Sequence, residues 1–384
     1  MGFVRTRRVA GAVATMGVLL TAMAPAAQAD AARDKQWPLQ AYDAAQKIWP
    51  VTTGKGQIVA VIDSGFRMTH VDLVGQFLPG KDFAPSSYDE AANASHGTMM
   101  VSLIAGHGHG PGDSDGIMGL APGVKILPLV VDLQDKNYAQ EISGAIHYAV
   151  GHGAGVINMS IGGFDPSMIE QSAVAYAEAH NVVLVAGAGN DGTEVDNYPA
   201  SFPGVIDVGG ANQNGGIWTG SDYGPLVTLV GPASNVLGDD SGTDTQYALG
   251  NGTSGATAYV SAIAALVRAK FPELTAGQVV NRLIKSAIDP DAKAGQTTPD
   301  LHYGYGVARP NEALTEDIPA GPAQGPLPQA ADPLAAPTAP ALAVATGEPK
   351  KGSGSLGWLL GVGALVSVGC IVLGLGLLRR HRRA

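Results

Sequence analysis

Apolar residues in this chain fall into short β-branched blocks separated by stretches with helical spacing. The first block runs Gln57-Ile58-Val59-Ala60-Val61-Ile62. A continuous apolar run of this length predicts a strand covered on both faces, as in a parallel sheet. Similar blocks at 124–131, 155–160, 182–186, 205–208 and 226–230 predict further strands. Between them, 138–151 places Ile142, Ile146, Ala149 and Val150 on one face of a helix, and 168–181 is Ala-rich. Helices are also expected over 259–267, within 270–288 after Phe271-Pro272, and near 311–314. Strands alternating with helices predict an α/β domain with a mostly parallel sheet. Trp37, Leu39, Ile48 and Trp49 precede the first strand and are expected to strap the domain surface.

The pattern changes at both ends. Residues 9–23 are apolar, follow Arg5, Arg7 and Arg8, and lead to Ala27-Gln28-Ala29. That sequence of features predicts a secretory signal peptide over 1–29. An uncleaved anchor is disfavoured because the run is short for a span. Residues 356–378 carry no charge and are followed by Arg379, Arg380, His381, Arg382 and Arg383. This length crosses a hydrocarbon core of about 30 Å, and the basic flank sets 379–384 in the cytoplasm. The expected localisation is the cell membrane, single-pass, with the folded domain on the extracytoplasmic side. Between 315 and 355, Pro, Ala and Gly dominate and aromatics are few, so this stretch is expected to be an extended linker, a stalk or a plain tether.

Composition narrows the function classes. The net charge of −10 argues against nucleic acid as a partner. The only cysteine, Cys370, lies in the expected span, so the exported domain has no disulfide. A domain of this size holds together on its core alone.

Three segments place reactive side chains at element ends. The first strand runs into Asp63-Ser64-Gly65, and open α/β sheets keep their sites at carboxyl ends of strands. An Asp there equally caps a turn. Ser95-His96-Gly97-Thr98 opens an apolar run over 99–105, which sets His96 near a helix start. Gly250-Asn251-Gly252-Thr253-Ser254-Gly255 turns into the apolar helix over 259–267, which sets Ser254 at or near its N-terminus. Free N–H groups and the positive dipole end collect there and stabilise an oxyanion. Taken alone, Ser254 is equally an N-cap. His70, His107, His109, His147, His152 and His180 have no comparable setting and are assigned no chemistry.

Taken together, the order Asp63, His96, Ser254 resembles that of the subtilisin-type serine peptidases. The resemblance covers about 37–314. The layout of signal peptide, exported domain, Pro-rich linker and single span is more narrowly similar to the mycosins of actinobacterial type VII secretion, as is Trp37-Pro38-Leu39 ahead of the first strand. The extension over 30–53 is too short for a folding pro-domain, which fits that likeness, whereas mycosins often carry disulfides and this domain does not.

The resemblance implies a subtilisin-like three-layer α/β fold with a mostly parallel central sheet over 54–314, plus one C-terminal transmembrane helix. It implies hydrolysis of a protein or peptide substrate, with Ser254 as nucleophile, His96 as its base and Asp63 orienting His96. It casts Asn190 and the Ser254 backbone N–H as the oxyanion hole, although Asn190 beside Gly189 is equally a turn residue. Ser160, Ile161, Gly162 and Gly163 resemble the segment that pairs with substrate backbone, or form a tight turn. Gly255 and Ala258 depart from the bulky residue and proline usual after the nucleophile. No cofactor is expected to be required. Calcium is common in the family; Asp72 resembles a ligand position and Asp113 and Asp115 lie in a Gly-rich loop, but no full ligand set can be read. Expected partners are the substrate, the membrane and type VII secretion machinery. The alternative is a catalytically silent scaffold of a secretion complex.

Overall fold

The structure is a computed structural model and describes residues 31–292 and 298–334. The expected signal peptide over 1–29 and the expected span over 356–378 lie outside these residues. Among the described residues, no helix is long and apolar enough to cross a membrane.

Three short helical segments come first: α1 (Ala31–Asp34), α2 (Trp37–Ala41) and a π-helical turn (Ala44–Ile48). The chain then runs through β1 (Ile58–Asp63), β2 (Lys81–Asp82), α3 (Glu90–Ala105), β3 (His107–His109), β4 (Asp115–Met118) and β5 (Lys125–Val130). It continues with α4 (Tyr138–Gly151), β6 (Val156–Met159), α5 (Met168–Ala179), β7 (Val183–Gly187), β8 (Val205–Ala211) and β9 (Leu229–Pro232). The hairpin β10 (Val236–Asp239) and β11 (Tyr247–Gly250) leads into α6 (Thr253–Lys270), α7 (Ala276–Ser286) and α8 (Pro310–Thr315).

Seven strands form one parallel sheet in the order β2-β5-β1-β6-β7-β8-β9. All six apolar blocks of the sequence lie in it. The two-residue edge strand β2 is exposed on both residues and too short to leave a periodic signal. Along β1, Val59 and Val61 pack into one core with α3, α6 and α7, while Ala60 and Ile62 pack into another with α4 and α5. This alternation makes three layers, since successive side chains of a strand point to opposite faces. It also sets the carboxyl ends of β1 and β6, neighbours in the sheet, side by side.

The helix holding His96 starts earlier than the sequence implies. Asp89 caps α3 by accepting from the Ala92 N–H, so the helix begins at Glu90 and His96 sits in its second turn. The polar run Asn93 to Ser95 reads as a turn, but Asn93 bonds back to the Asp89 carbonyl within the helix. Gly97 then allows close contact with β1: a Cβ there would lie 2.3 Å from the Gly65 carbonyl and 3.0 Å from the Asp63 Cβ.

The N-terminal strap is part of the core. Leu39 and Ile48 are buried in the α6 layer, the Trp37 indole donates to the Ser234 carbonyl and the Trp49 indole to the Leu120 carbonyl. Ile48→Ala removes a fully buried side chain and should destabilise the fold by about 2–5 kcal/mol. Chemical denaturation would show this as a lowered midpoint, and an unchanged midpoint would mean the strap is only a surface layer.

The Pro-rich stretch was expected to leave the domain at 315. Its described part instead lies along α7. Arg282 donates to the carbonyls of Ala313, Glu316 and Ile318, Asn281 to those of Pro319 and Ala320, and Gln278 to that of Gly321. Further on, the Ala330 N–H reaches Glu178. An extended Pro-rich backbone leaves its carbonyls unpaired, and the polar face of α7 supplies the donors.

Candidate active site

Asp63 ends β1 and is fully buried. Its Oδ1 accepts from the Ser64 N–H at 2.8 Å and the Ser64 hydroxyl at 3.2 Å. His96 Nδ1 lies 2.9 Å from both carboxylate oxygens. A carboxylate only accepts, so Nδ1 carries the hydrogen and Nε2 is left with its lone pair. The buried Asp63 charge raises the His96 pKa above its ordinary value, against the opposing effect of desolvation. The ring is 43 % exposed, which leaves it open to a substrate.

Ser254 is the second residue of α6, as the glycine-rich turn predicts. Its hydroxyl donates to the Ser160 carbonyl at 3.3 Å, and the Ser160 hydroxyl donates to the Ser254 carbonyl at 3.0 Å. This reciprocal clasp ties the end of β6 to the start of α6. Among the described residues Ser254 Oγ is bonded to Ser160 and has no hydrogen bond to His96. A buried network stands behind it: Asn158 donates to Ser160 Oγ at 3.0 Å and accepts from Ser261 at 3.0 Å. A fully satisfied buried network fixes its members in one arrangement.

Asn190 follows β7. Its Oδ1 accepts from the Thr253 N–H at 2.8 Å and lies 3.2 Å from the Thr253 hydroxyl. A backbone N–H can only donate, which fixes the amide orientation and directs the NH₂ group the other way. Gly189 has φ +117°, and a Cβ there would lie 2.1 Å from Asp222 Oδ2, so only glycine fits beneath Asn190. Asn190, Ser254, Ser160, Ile161, Gly162 and Gly163 all line one cleft of about 240 Å³. The run 160–163 is irregular, with Gly163 paired by two hydrogen bonds to Tyr198.

The structure therefore joins Asp63 to His96, and gathers Ser254, Asn190 and 160–163 around one cleft at the carboxyl ends of the central strands. Sequence reasoning missed Asn158, Ser261, Thr253 and Asp222. Asn158 had a signal, as the one polar residue inside the apolar strand β6. Ser261 and Thr253 had none, because hydroxyls within a small-residue helix are common.

Calcium does not fit the residues named for it. Asp72 is fully buried, and its side-chain neighbours include the His109 and His70 imidazoles, nitrogen groups and not the oxygen ligands calcium takes. The Asp113 and Asp115 carbonyls accept from the Arg33 guanidinium, a cation that repels another at the same loop. No oxygen-rich shell of six or more ligands is assembled among these residues.

Comparison with known proteins adds an independent line. A family model described as the subtilase family matches residues 54–306. Fervidolysin of Fervidobacterium pennivorans is 32 % identical over 327 residues, covering 76 % of this chain and 44 % of fervidolysin. The chain thus spans less than half of that relative's length. Mycosin-1 of Mycobacterium tuberculosis is 32 % identical over 337 residues, covering 71 % of this chain and 72 % of that protein. Among solved structures, MycP1 from the ESX-1 type VII secretion system matches with a TM-score of 0.64 and 28 % identity, covering 78 % of this chain and 90 % of the other.

Proposed function

Because the chain belongs to the subtilase family of serine peptidases, we propose that it is a mycosin-like serine endopeptidase, anchored in the cell membrane with its domain on the extracytoplasmic side. In this reading Ser254 attacks the scissile carbonyl, His96 takes its proton and returns it to the leaving amine, and Asp63 holds the His96 tautomer. The observation that carries the reading is the buried Asp63 carboxylate 2.9 Å from His96 Nδ1, which leaves Nε2 as the free base.

In this reading Ser254 exchanges its long bond to the Ser160 carbonyl for one to His96 when substrate binds, as catalytic hydrogen bonds often tighten only with substrate. The Asn190 amide NH₂ and the Ser254 backbone N–H supply the oxyanion donors. A peptide would lie along 160–163 as an added strand. The uncharged run over 356–378 and its basic flank support the anchor, and the likeness to a MycP1 of type VII secretion supports work beside such an apparatus.

A second reading is a catalytically silent scaffold, favoured by the Ser254 hydroxyl being bonded to the Ser160 carbonyl and not to His96. A fluorophosphonate probe on the full-length chain separates the two. Labelling of Ser254 supports the peptidase, and a folded chain that stays unlabelled supports the scaffold.

Asn190→Ala should lower kcat by about 10²–10³ with KM little changed, the magnitude found for the oxyanion asparagine of a subtilisin. Steady-state hydrolysis of a peptide substrate measures this, and an equal loss in Asn190→Ala carried wholly by KM would assign Asn190 to substrate binding.

A further inference from the structure

Away from the cleft, three titratable side chains meet in a fully buried cluster. His70 and Asp72 lie on the turn after β1, and Asp239 ends β10. One ligand-capable atom from each lies within 4.8 Å of the others. His70 has no setting in the sequence that points to chemistry, and Asp239 lies far from it along the chain.

The protonation of His70 follows from its neighbours. Nε2 lies 3.1 Å from the Gln246 carbonyl, which only accepts, so Nε2 carries a hydrogen. The Asp72 N–H points at Nδ1 from 3.4 Å, as it would at a lone pair. Yet Asp239 Oδ2 lies 3.1 Å from the same Nδ1. Nδ1 and a carboxylate oxygen thus face each other, and the positive charge between them is either a proton, which makes His70 one half of a buried His–Asp ion pair, or a metal ion. Besides this contact with His70, neither Asp239 oxygen receives a hydrogen bond from a donor of the described residues. Two buried carboxylates around one imidazole are costly unless further positive charge compensates them.

We propose that His70 Nδ1, Asp72 and Asp239 form a structural site for one divalent transition-metal ion of the zinc class. Two carboxylates and a neutral imidazole carry two negative charges, which a divalent ion neutralises. The imidazole selects zinc-type ions over magnesium or calcium, which take oxygen ligands. The outer partners are already in place: Nε2–H on the Gln246 carbonyl fixes the His70 tautomer, and His109 and the Ile117 N–H hold the Asp72 carboxylate. Such partners orient metal ligands in known sites. Tyr247 packs edge-on to the His70 ring at 5.7 Å and helps keep the site dry.

The ion would clamp the β10–β11 hairpin to the turn after β1. Arg67 and Thr69 already tie that turn to Asp244 at 2.6 and 2.7 Å. The hairpin leads directly into the turn before α6, so the clamp acts on folding and stability and not on a chemical step.

The test uses the full-length chain, expressed with zinc and then refolded with and without it after chelation. Metal analysis of the wild type should find one zinc per chain, and zinc should raise the Tm of the chelated protein by about 5 °C at roughly a hundredfold excess over Kd. Asp239→Asn and His70→Gln should each lose the ion and the zinc-dependent Tm shift. Cobalt put in place of zinc should give visible absorption bands in the wild type that both variants lack, a readout independent of variant stability. A wild type that folds without metal and whose Tm ignores zinc would overturn the site and leave protons as the neutralising charge. Zinc retained in full by both variants would also overturn it, by placing the ion elsewhere.

Discussion

Ser254→Ala is expected to lower kcat by about 10⁶, a magnitude known from removal of the nucleophile in subtilisin, and to abolish fluorophosphonate labelling. Without Oγ no acyl-enzyme forms, whatever His96 does. The fold should not suffer. Ser254 Oγ donates one long bond, 3.3 Å, to the Ser160 carbonyl, and that residue's own hydroxyl still reaches the Ser254 backbone carbonyl in the variant. The clasp therefore loses its weaker half only, and Tm should stay close to the wild-type value. A residual rate enhancement of about 10³–10⁴ over water should survive from the Asn190 and backbone donors. Adding His96→Ala to Ser254→Ala should cost little more, because residues that act as one unit are not additive. Hydrolysis rates of the two single variants and the double variant check all of this. Near-wild-type activity in Ser254→Ala would place the chemistry elsewhere, and a second loss as large as the first would mean that the two side chains act separately.

The central sheet was legible because its strands are buried on both faces, and a buried strand must be apolar throughout. β7 and β8 are buried at every residue, and their blocks stand out from the Gly-rich loops around them. Asp63, at the end of the β1 block, was legible for the same reason, and Ser254 from the glycine-rich turn that opens the apolar α6. What stayed hidden depends on contacts between distant segments. The start of α3 is set by an Asp89 side chain bonding three residues on, inside a run that reads as a turn. Docking of residues 316–321 depends on donors from α7, which composition does not reveal. The pairing of His70 with Asp239 joins residues far apart in the chain, and no local pattern announces it.

Asp63→Asn should lower kcat by about 10⁴, through the wrong tautomer of His96 and not through lost geometry. The Ser64 N–H and hydroxyl both donate to Asp63 Oδ1. An asparagine would keep its carbonyl oxygen on these donors and turn its NH₂ toward His96. Nδ1 would then have to accept, its hydrogen would move to Nε2, and the base facing the cleft would be gone. The pH profile should change as well. In the wild type the Asp63 charge raises the His96 pKa above 6.5, and only neutral His96 accepts a proton, so kcat/KM should rise with a midpoint above pH 6.5. Removing the charge leaves desolvation, which favours the neutral ring, so the remaining activity of Asp63→Asn should rise at a lower pH. Stability gives the complementary sign. A histidine whose folded pKa is raised contributes stability that is fully present below its unfolded pKa and is lost as pH rises through the folded value. Asp63→Asn should therefore destabilise the chain more at pH 5 than at pH 9. Rate profiles and denaturation midpoints at the two pH values measure both effects. An acidic limb unmoved in the variant would mean that the titrating group behind it is not His96.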